Sequence, residues 1–501
     1  MRHDKQAHRS EGSLPAFGQN DANHERGDAS RIRNPERIFA IPRSEPGREA
    51  MTIDQQTAPS RPGARLVPPV PVPPERELST LRFVATMRTN GIGCWPASAY
   101  ELPLRRRRLF GKVRLTVSDP EAVRRVLVEN AGNYARTALS IRMLRPMLGD
   151  GLLISEGAAW RHQRRALSPA FTPRAVETLV PHILSATDEA VAALEGPAAQ
   201  GPVDLFGALQ HLALEIAGRT MFSVGMARHG ARLRGYLAAY SERLGRPHLT
   251  DALVPLRFAT PLDRARDRFR RDWVAFLDTV IADRAAERDG RPRDLLDHLR
   301  AARDPETGRS FTTEELRDQV ATMILAGHET TALTLLWACT LLALDPEAQE
   351  RVAAEADVPE KPFTRAVIDE TLRLYPPAYV IARVALGPDV LAGQPVARGD
   401  SVTISPWLLH RHRRLWRDPD AFDPGRFLPG AAPVPRFAYM PFGAGPRICI
   451  GAAFALTEAT LALSRLVGRF RLARADDRPV LPAAVVTTQP DHAPAFRLTV
   501  R

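Results

Sequence analysis

Phe442-Gly443-Ala444-Gly445-Pro446-Arg447-Ile448-Cys449-Ile450-Gly451 is the stretch that decides how this chain folds. Two glycines and a proline set up a tight loop, and an arginine stands two residues before a cysteine. A helical pattern follows from about Gly451 through Phe454, Ala455, Leu461, Leu463, Leu466 and Phe470, with no proline until Pro479. Cys449 is therefore expected at or just before a helix N-terminus, where free N–H groups and the macrodipole favour a thiolate. Gly443 and Gly445 can take backbone angles closed to other residues, so the loop can turn its own N–H groups toward the sulfur. Arg447 adds a permanently charged fork suited to a carboxylate. A lone cysteine is ordinarily an inert core residue; one held in this way is a candidate iron ligand.

The whole pattern, Phe-Gly-x-Gly-x-Arg-x-Cys-x-Gly, resembles the haem-binding loop of the cytochrome P450 superfamily, with every defining position filled. The resemblance implies a mainly α fold with a small β-rich lobe and haem b as cofactor. It makes Cys449 the axial ligand of the iron and brings Arg447 to a haem propionate. Gly443 shapes the loop, and Phe442 packs against the ring near the sulfur.

Three further motifs follow the family's order. Trp160 and Arg164, four apart in Trp160-Arg161-His162-Gln163-Arg164-Arg165, share one helix face. In the family such a pair hydrogen-bonds the propionates, and both side chains are donors that suit a carboxylate acceptor. Thr312-Thr313-Glu314-Glu315 is a capping-box start, and the proline-free run beyond it allows one helix of about 33 residues. Its second half is apolar except for Ala326-Gly327-His328-Glu329-Thr330-Thr331, and an acid and hydroxyls inside a buried helix cost stability. That block resembles the family's central-helix motif, where the helix loosens beside the iron. By resemblance Thr330 and Glu329 are catalytic, Thr330 as a hydrogen-bonding residue for the oxygen chemistry and Glu329 as a proton relay, with His328 and Thr331 in support. Glu370-Thr371-Leu372-Arg373, followed by Phe422-Asp423-Pro424-Gly425-Arg426-Phe427, implies a buried network of Glu370, Arg373 and Arg426 that is structural in role. Arg383 aligns with a position that commonly contacts a propionate.

Composition narrows the remaining classes. Cys94, Cys339 and Cys449 are too few and scattered for a disulfide framework, which suggests a reducing, cytoplasmic setting. The net charge of +12 invites a nucleic-acid partner, but Lys5, Lys112 and Lys361 are the only lysines, and no nucleic-acid motif accompanies the arginines. Residues 1–62 are polar and aperiodic and read as a disordered tail, with Met51 as an alternative start. Residues 63–74 are proline-rich, and residues 75–501 read as a single domain. No apolar run there or before it reads as a membrane anchor.

These features lead to a haem-thiolate monooxygenase that inserts one atom of O2 into a hydrophobic small molecule, by hydroxylation or epoxidation. The chain ends about 50 residues after Cys449, so electrons are expected from a separate ferredoxin or flavodoxin-like protein with its reductase. Arg161, Arg164, Arg165, Arg411, Arg413, Arg414 and Arg417 flank the haem-binding elements, and some of them are expected to form a basic docking face for that partner. Leu152, Leu153, Ile154, Leu253, Val254, Tyr379 and Ile381 are the apolar candidates for substrate contact. A haem-thiolate peroxygenase, or an isomerase or dehydratase, is the alternative; a haem carrier or sensor is the remote one.

Overall fold

A computed structural model describes residues 65–109, 111–222, 228–248, 250–251, 254–286 and 294–501. The expected tail and the Met51 start lie outside them, as does Leu253.

The central helix, Thr313–Leu344, is 32 residues long. It starts where the sequence places it, because the capping box forms. Glu315 N donates to Thr312 Oγ1 at 3.2 Å, and Thr312 N donates to the Glu315 carboxylate at 3.0 Å. It stops at Asp345, the residue before Pro346, where the proline disfavours further helical backbone. Between these ends it passes through two separate hydrophobic cores. Val320, Ala321, Met323 and Ile324 pack into one core with Trp273, Phe276 and Leu277 of helix Pro261–Ala286. Ala332 to Leu342 pack into another with helices Leu205–Phe222 and Ala452–Arg469. Leu333, Leu335, Leu336, Leu341 and Leu342 are wholly buried, each stabilising the fold by about 2 kcal/mol. The motif Ala326–Thr331 falls where the two cores part. The helix was expected to loosen there, and it instead runs without a break.

A five-stranded sheet carries the small lobe, in the order Leu104–Leu109, Lys112–Val117, Ser401–Ile404, Ile381–Ala385, Tyr134–Arg136. Strand Lys112–Val117 alternates toward a third core of Leu115, Val117, Val402 and Ile404. The helix that follows it, Pro120–Arg124, is short, and Arg125–Glu129 widens into a π-type turn closed by Asn130 N donating to Arg125 O at 2.8 Å. Near the C-terminus, strands Pro482–Ala484 and Thr488–Pro490 form a short hairpin. Among the described residues, no helix is long and apolar enough to cross a membrane.

Candidate active site

The loop around Cys449 is built by its glycines. Gly443 and Gly445 have φ of 74° and 73°, in the left-handed region that glycine tolerates. At Gly445 a side chain is also excluded by contact, since a Cβ there would stand 1.9 Å from the carbonyl oxygen of Leu127. Cys449 N donates to Phe442 O at 2.9 Å and closes the loop. The helix begins at Ala452 with Gly451 as its N-cap, two residues beyond Cys449.

Cys449 is exposed as a residue, yet surrounding protein desolvates its thiol and pushes its pKa up, against the Gly451 N–H and the charge of Arg164. Both observations hold together if the sulfur faces an internal cleft. The expectation that the helix terminus lowers the thiol pKa is corrected here, because desolvation outweighs the N–H group and the nearby charge. An iron ion, which binds thiolate in place of a proton, shifts that balance.

Ala326, on the central helix, is accessible as well. It is exposed in the middle of a helix that is buried on either side of it. Thr330 stands one turn on, over the same face, and its Oγ1 donates to Ala326 O at 2.6 Å. The neighbouring Thr331 points the other way and donates to Glu458 at 3.1 Å, which locks the central helix onto the helix that follows Cys449. Glu329 is turned to the C-terminal hairpin, its Oε1 accepting from Thr487 Oγ1 at 2.9 Å and from Gln489 Nε2 at 2.6 Å. His328 is buried, and desolvation drops its pKa to about 4, so its ring is neutral at physiological pH.

A cluster of arginines borders the loop. Arg136 and Arg383 lie directly opposite each other across an antiparallel strand pair, a placement that repels. Burial lowers Arg136 to about 9, with further repulsion from Arg383 and Arg447, and lowers Arg383 to about 10, with further repulsion from Arg447. Arg447 donates to Ser155 O at 2.9 Å and pairs with Glu156, which also lies 3.7 Å from Arg136. Three guanidinium groups thus share one carboxylate, an excess of two positive charges. Arg136 Nε and Arg447 Nη1 are buried without a hydrogen-bond partner. Haem b carries two propionates, so this cradle fits it in both charge and open donors.

Of the other expected residues, Trp160 lies under Arg447, whose guanidinium carbon is 4.5 Å from the ring centroid. Arg164 donates to Ile448 O at 2.9 Å, beside Cys449. Phe442 is half-buried and packs against the larger core. Glu370 and Arg373 are fully buried and bidentate at 2.6 and 2.7 Å, with Arg426 Nε 3.4 Å from Glu370. Arg373 also donates to the carbonyls of His410, Pro419 and Ala421, which ties down the segment that leads to the loop.

Sequence reasoning missed Arg136, Glu156, Glu458, Thr487 and Gln489. Only Glu458, an acid among Phe454, Ala459, Ala462 and Leu463 on the buried side of its helix, left a readable signal. The structure narrows the arginines that can contribute to a basic face around the site. Arg411 is 1% exposed and stacked on Trp407, Arg164 points inward, and Arg165 is engaged by Asp304. Arg161, Arg413, Arg414 and Arg417 are exposed. Ile154 and Tyr379 belong to the cores, with Tyr379 Oη donating to Val485 O at 3.1 Å.

The family model for cytochrome P450 matches residues 102–493. Cyclooctatin synthase of Streptomyces melanosporofaciens is 37% identical over 373 residues, covering 70% of this chain and 79% of that protein. Cyclooctat-9-en-7-ol 5-monooxygenase of the same organism is 34% identical with the same coverage. The crystal structure of the cytochrome P450DA heme domain superposes with a TM-score of 0.70 at 26% identity, covering 87% of this chain and 99% of that one. This chain belongs to the cytochrome P450 family and is a monooxygenase whose cofactor is haem b.

Proposed function

We propose that the chain hydroxylates a large alicyclic hydrocarbon skeleton of terpenoid type, with electrons from a separate ferredoxin or flavodoxin-like donor. The observation that carries the site is Ala326, a small apolar residue left uncovered between two cores, one turn from Thr330. It leaves room for an apolar ligand at the point where the helix presents its hydroxyl. The substrate class rests on the two Streptomyces relatives, one of which is named for 5-monooxygenation of cyclooctat-9-en-7-ol.

When bound, haem supplies reductive activation of O2 at an iron held by a thiolate. In this reading Cys449 provides that thiolate, and the Gly443–Gly445 loop holds it in place. Arg136, Arg383 and Arg447 hold the propionates, with Trp160 flattened under Arg447 and Arg164 bracing the loop through Ile448 O. Thr330 offers its hydroxyl on the cleft side, and Glu329 is the nearest acid in sequence that can pass a proton to it. Leu153, 39% exposed and next to Leu152, whose N–H donates to Gln319 of the central helix at 3.0 Å, is a candidate substrate contact.

The test is a spin-state titration of the purified haem protein with cyclic terpene alcohols and with fatty acids, followed by turnover under 18O-labelled dioxygen. A terpenoid that shifts the spectrum and emerges with one labelled oxygen supports the reading. Labelled product from fatty acids alone removes the substrate class. Peroxide-driven turnover with no need for an electron donor favours the peroxygenase. Thr330→Ala should lower product per O2 consumed several-fold.

A further inference from the structure

The acid of the central helix is not held by its own helix. Thr487, the last residue of the C-terminal hairpin's turn, and Gln489, on the strand that follows, bring their side chains together, with Gln489 Nε2 3.4 Å from Thr487 Oγ1. Both donate to one oxygen of Glu329, Thr487 Oγ1 at 2.9 Å and Gln489 Nε2 at 2.6 Å. The residue between them faces the other way and anchors the hairpin. Thr488 Oγ1 donates to Pro376 O at 2.7 Å, and its carbonyl accepts from the Trp337 indole at 3.0 Å. Trp337 is itself stacked on Tyr375 at 4.0 Å. The other strand is pinned by Asn90, which donates to Pro482 O at 2.9 Å and accepts from Ala484 N at 3.0 Å. The two donors therefore sit on a support fixed at its back and at its base. Thr330, meanwhile, spends its own proton on Ala326 O and makes no bond to Glu329.

Resting on the monooxygenase reading, we propose that Thr487 and Gln489 are positioning residues for Glu329. They immobilise one carboxylate oxygen and leave Oε2 as the atom that carries a proton toward Thr330. Productive turnover consumes O2, two electrons and two protons, puts one oxygen atom into substrate and releases the other as water. If the proton supply at the cleft is late, the same two electrons and two protons leave as hydrogen peroxide. A carboxylate free to rotate meets the cleft with the right oxygen less often, so loss of either donor raises the peroxide share.

The experiment compares wild type with Thr487→Val, Thr487→Ser, Gln489→Leu and Glu329→Gln as holoenzymes. Expected in Thr487→Val and Gln489→Leu is a several-fold rise in hydrogen peroxide per O2 consumed, with the thiolate-haem spectrum and substrate-induced spin shift unchanged. Thr487→Ser, which keeps the hydroxyl, should stay near wild type. Added to Glu329→Gln, the Thr487→Val change should raise the peroxide share little further. Independently of turnover, the loss of unfolding midpoint caused by Gln489→Leu should shrink when Glu329 is already Gln. Wild-type coupling in both Thr487→Val and Gln489→Leu, or effects that add in full to Glu329→Gln, would overturn the proposal. Failure of the wild type itself to show a thiolate-haem spectrum or any oxygenated product would instead overturn the functional reading on which it rests.

Discussion

Replacing Glu458 by Gln should stabilise this enzyme, and by an amount that grows with pH. Glu458 is 2% exposed, and its carboxyl accepts from Thr331 Oγ1 at 3.1 Å. Desolvation pushes its pKa from 4.5 up to about 8, with the Thr331 hydrogen bond opposing. In the fold the group therefore keeps its proton up to about pH 8, whereas the unfolded chain releases it near 4.5. Across that window the unfolded state binds fewer protons, so stability falls as pH rises, by up to about 1.4 kcal/mol per pH unit. At pH 7 the accumulated loss is about 3 kcal/mol on this reasoning. Gln has nearly the same shape, can accept from Thr331 and does not titrate. The assay is denaturant or thermal unfolding of both proteins, followed by tryptophan fluorescence, at several values between about pH 5 and pH 8. For a domain of this length about 1 kcal/mol corresponds to roughly 1 °C in Tm. The variant should match wild type near pH 5 and lead by a few degrees near pH 8. A difference that stays flat with pH would refute the argument, as would one that is largest in acid.

Gly445→Ala should abolish recovery of the thiolate-haem spectrum, because its Cβ would meet the Leu127 carbonyl at 1.9 Å and the backbone cannot give. Gly443→Ala has its nearest neighbour at 3.8 Å, so it carries only the positive-φ cost of about 1–2 kcal/mol and should still bind haem. Glu370→Gln leaves the wholly buried Arg373 without its counter-charge and should destabilise by about 3–5 kcal/mol in equilibrium unfolding; a loss below about 1 kcal/mol would contradict the network's role. Arg161→Glu combined with Arg414→Glu should slow reduction by an acidic ferredoxin about ten-fold at low salt, with the difference vanishing at high salt. A salt-independent rate in wild type would remove the docking face.

The features legible in the sequence were those fixed by local rules. The capping box at Thr312 and the proline at Pro346 set the ends of the central helix. The glycines of the Cys449 loop announced their backbone angles, and the spacing of Glu370 and Arg373 put both on one helix face. What stayed hidden depends on register and on contacts between distant segments. Arg136 stands opposite Arg383 only because strand Tyr134–Arg136 pairs with Ile381–Ala385, and nothing near residue 136 encodes that partner. Glu329 meets Thr487 and Gln489 across more than 150 residues of chain. Arg411 looked like part of a basic surface run, yet stacking on Trp407 gives its guanidinium a buried place. At Ala326–Thr331, where a local loosening was expected, the helix is continuous, and Thr330 bonds back to Ala326 O, which satisfies its hydroxyl within the helix.

The arginine cradle also makes haem a folding ligand. Without propionates, Arg136, Arg383 and Arg447 crowd one another with Glu156 as their shared counter-ion, and that repulsion weighs against the native state. Cofactor that binds only the folded chain raises its stability by mass action, about 2.7 kcal/mol when free haem is a hundred-fold above its Kd. Yield of this protein in a host should therefore track haem supply during synthesis. Chains made in excess of that supply should be lost to aggregation or proteolysis before they can mature.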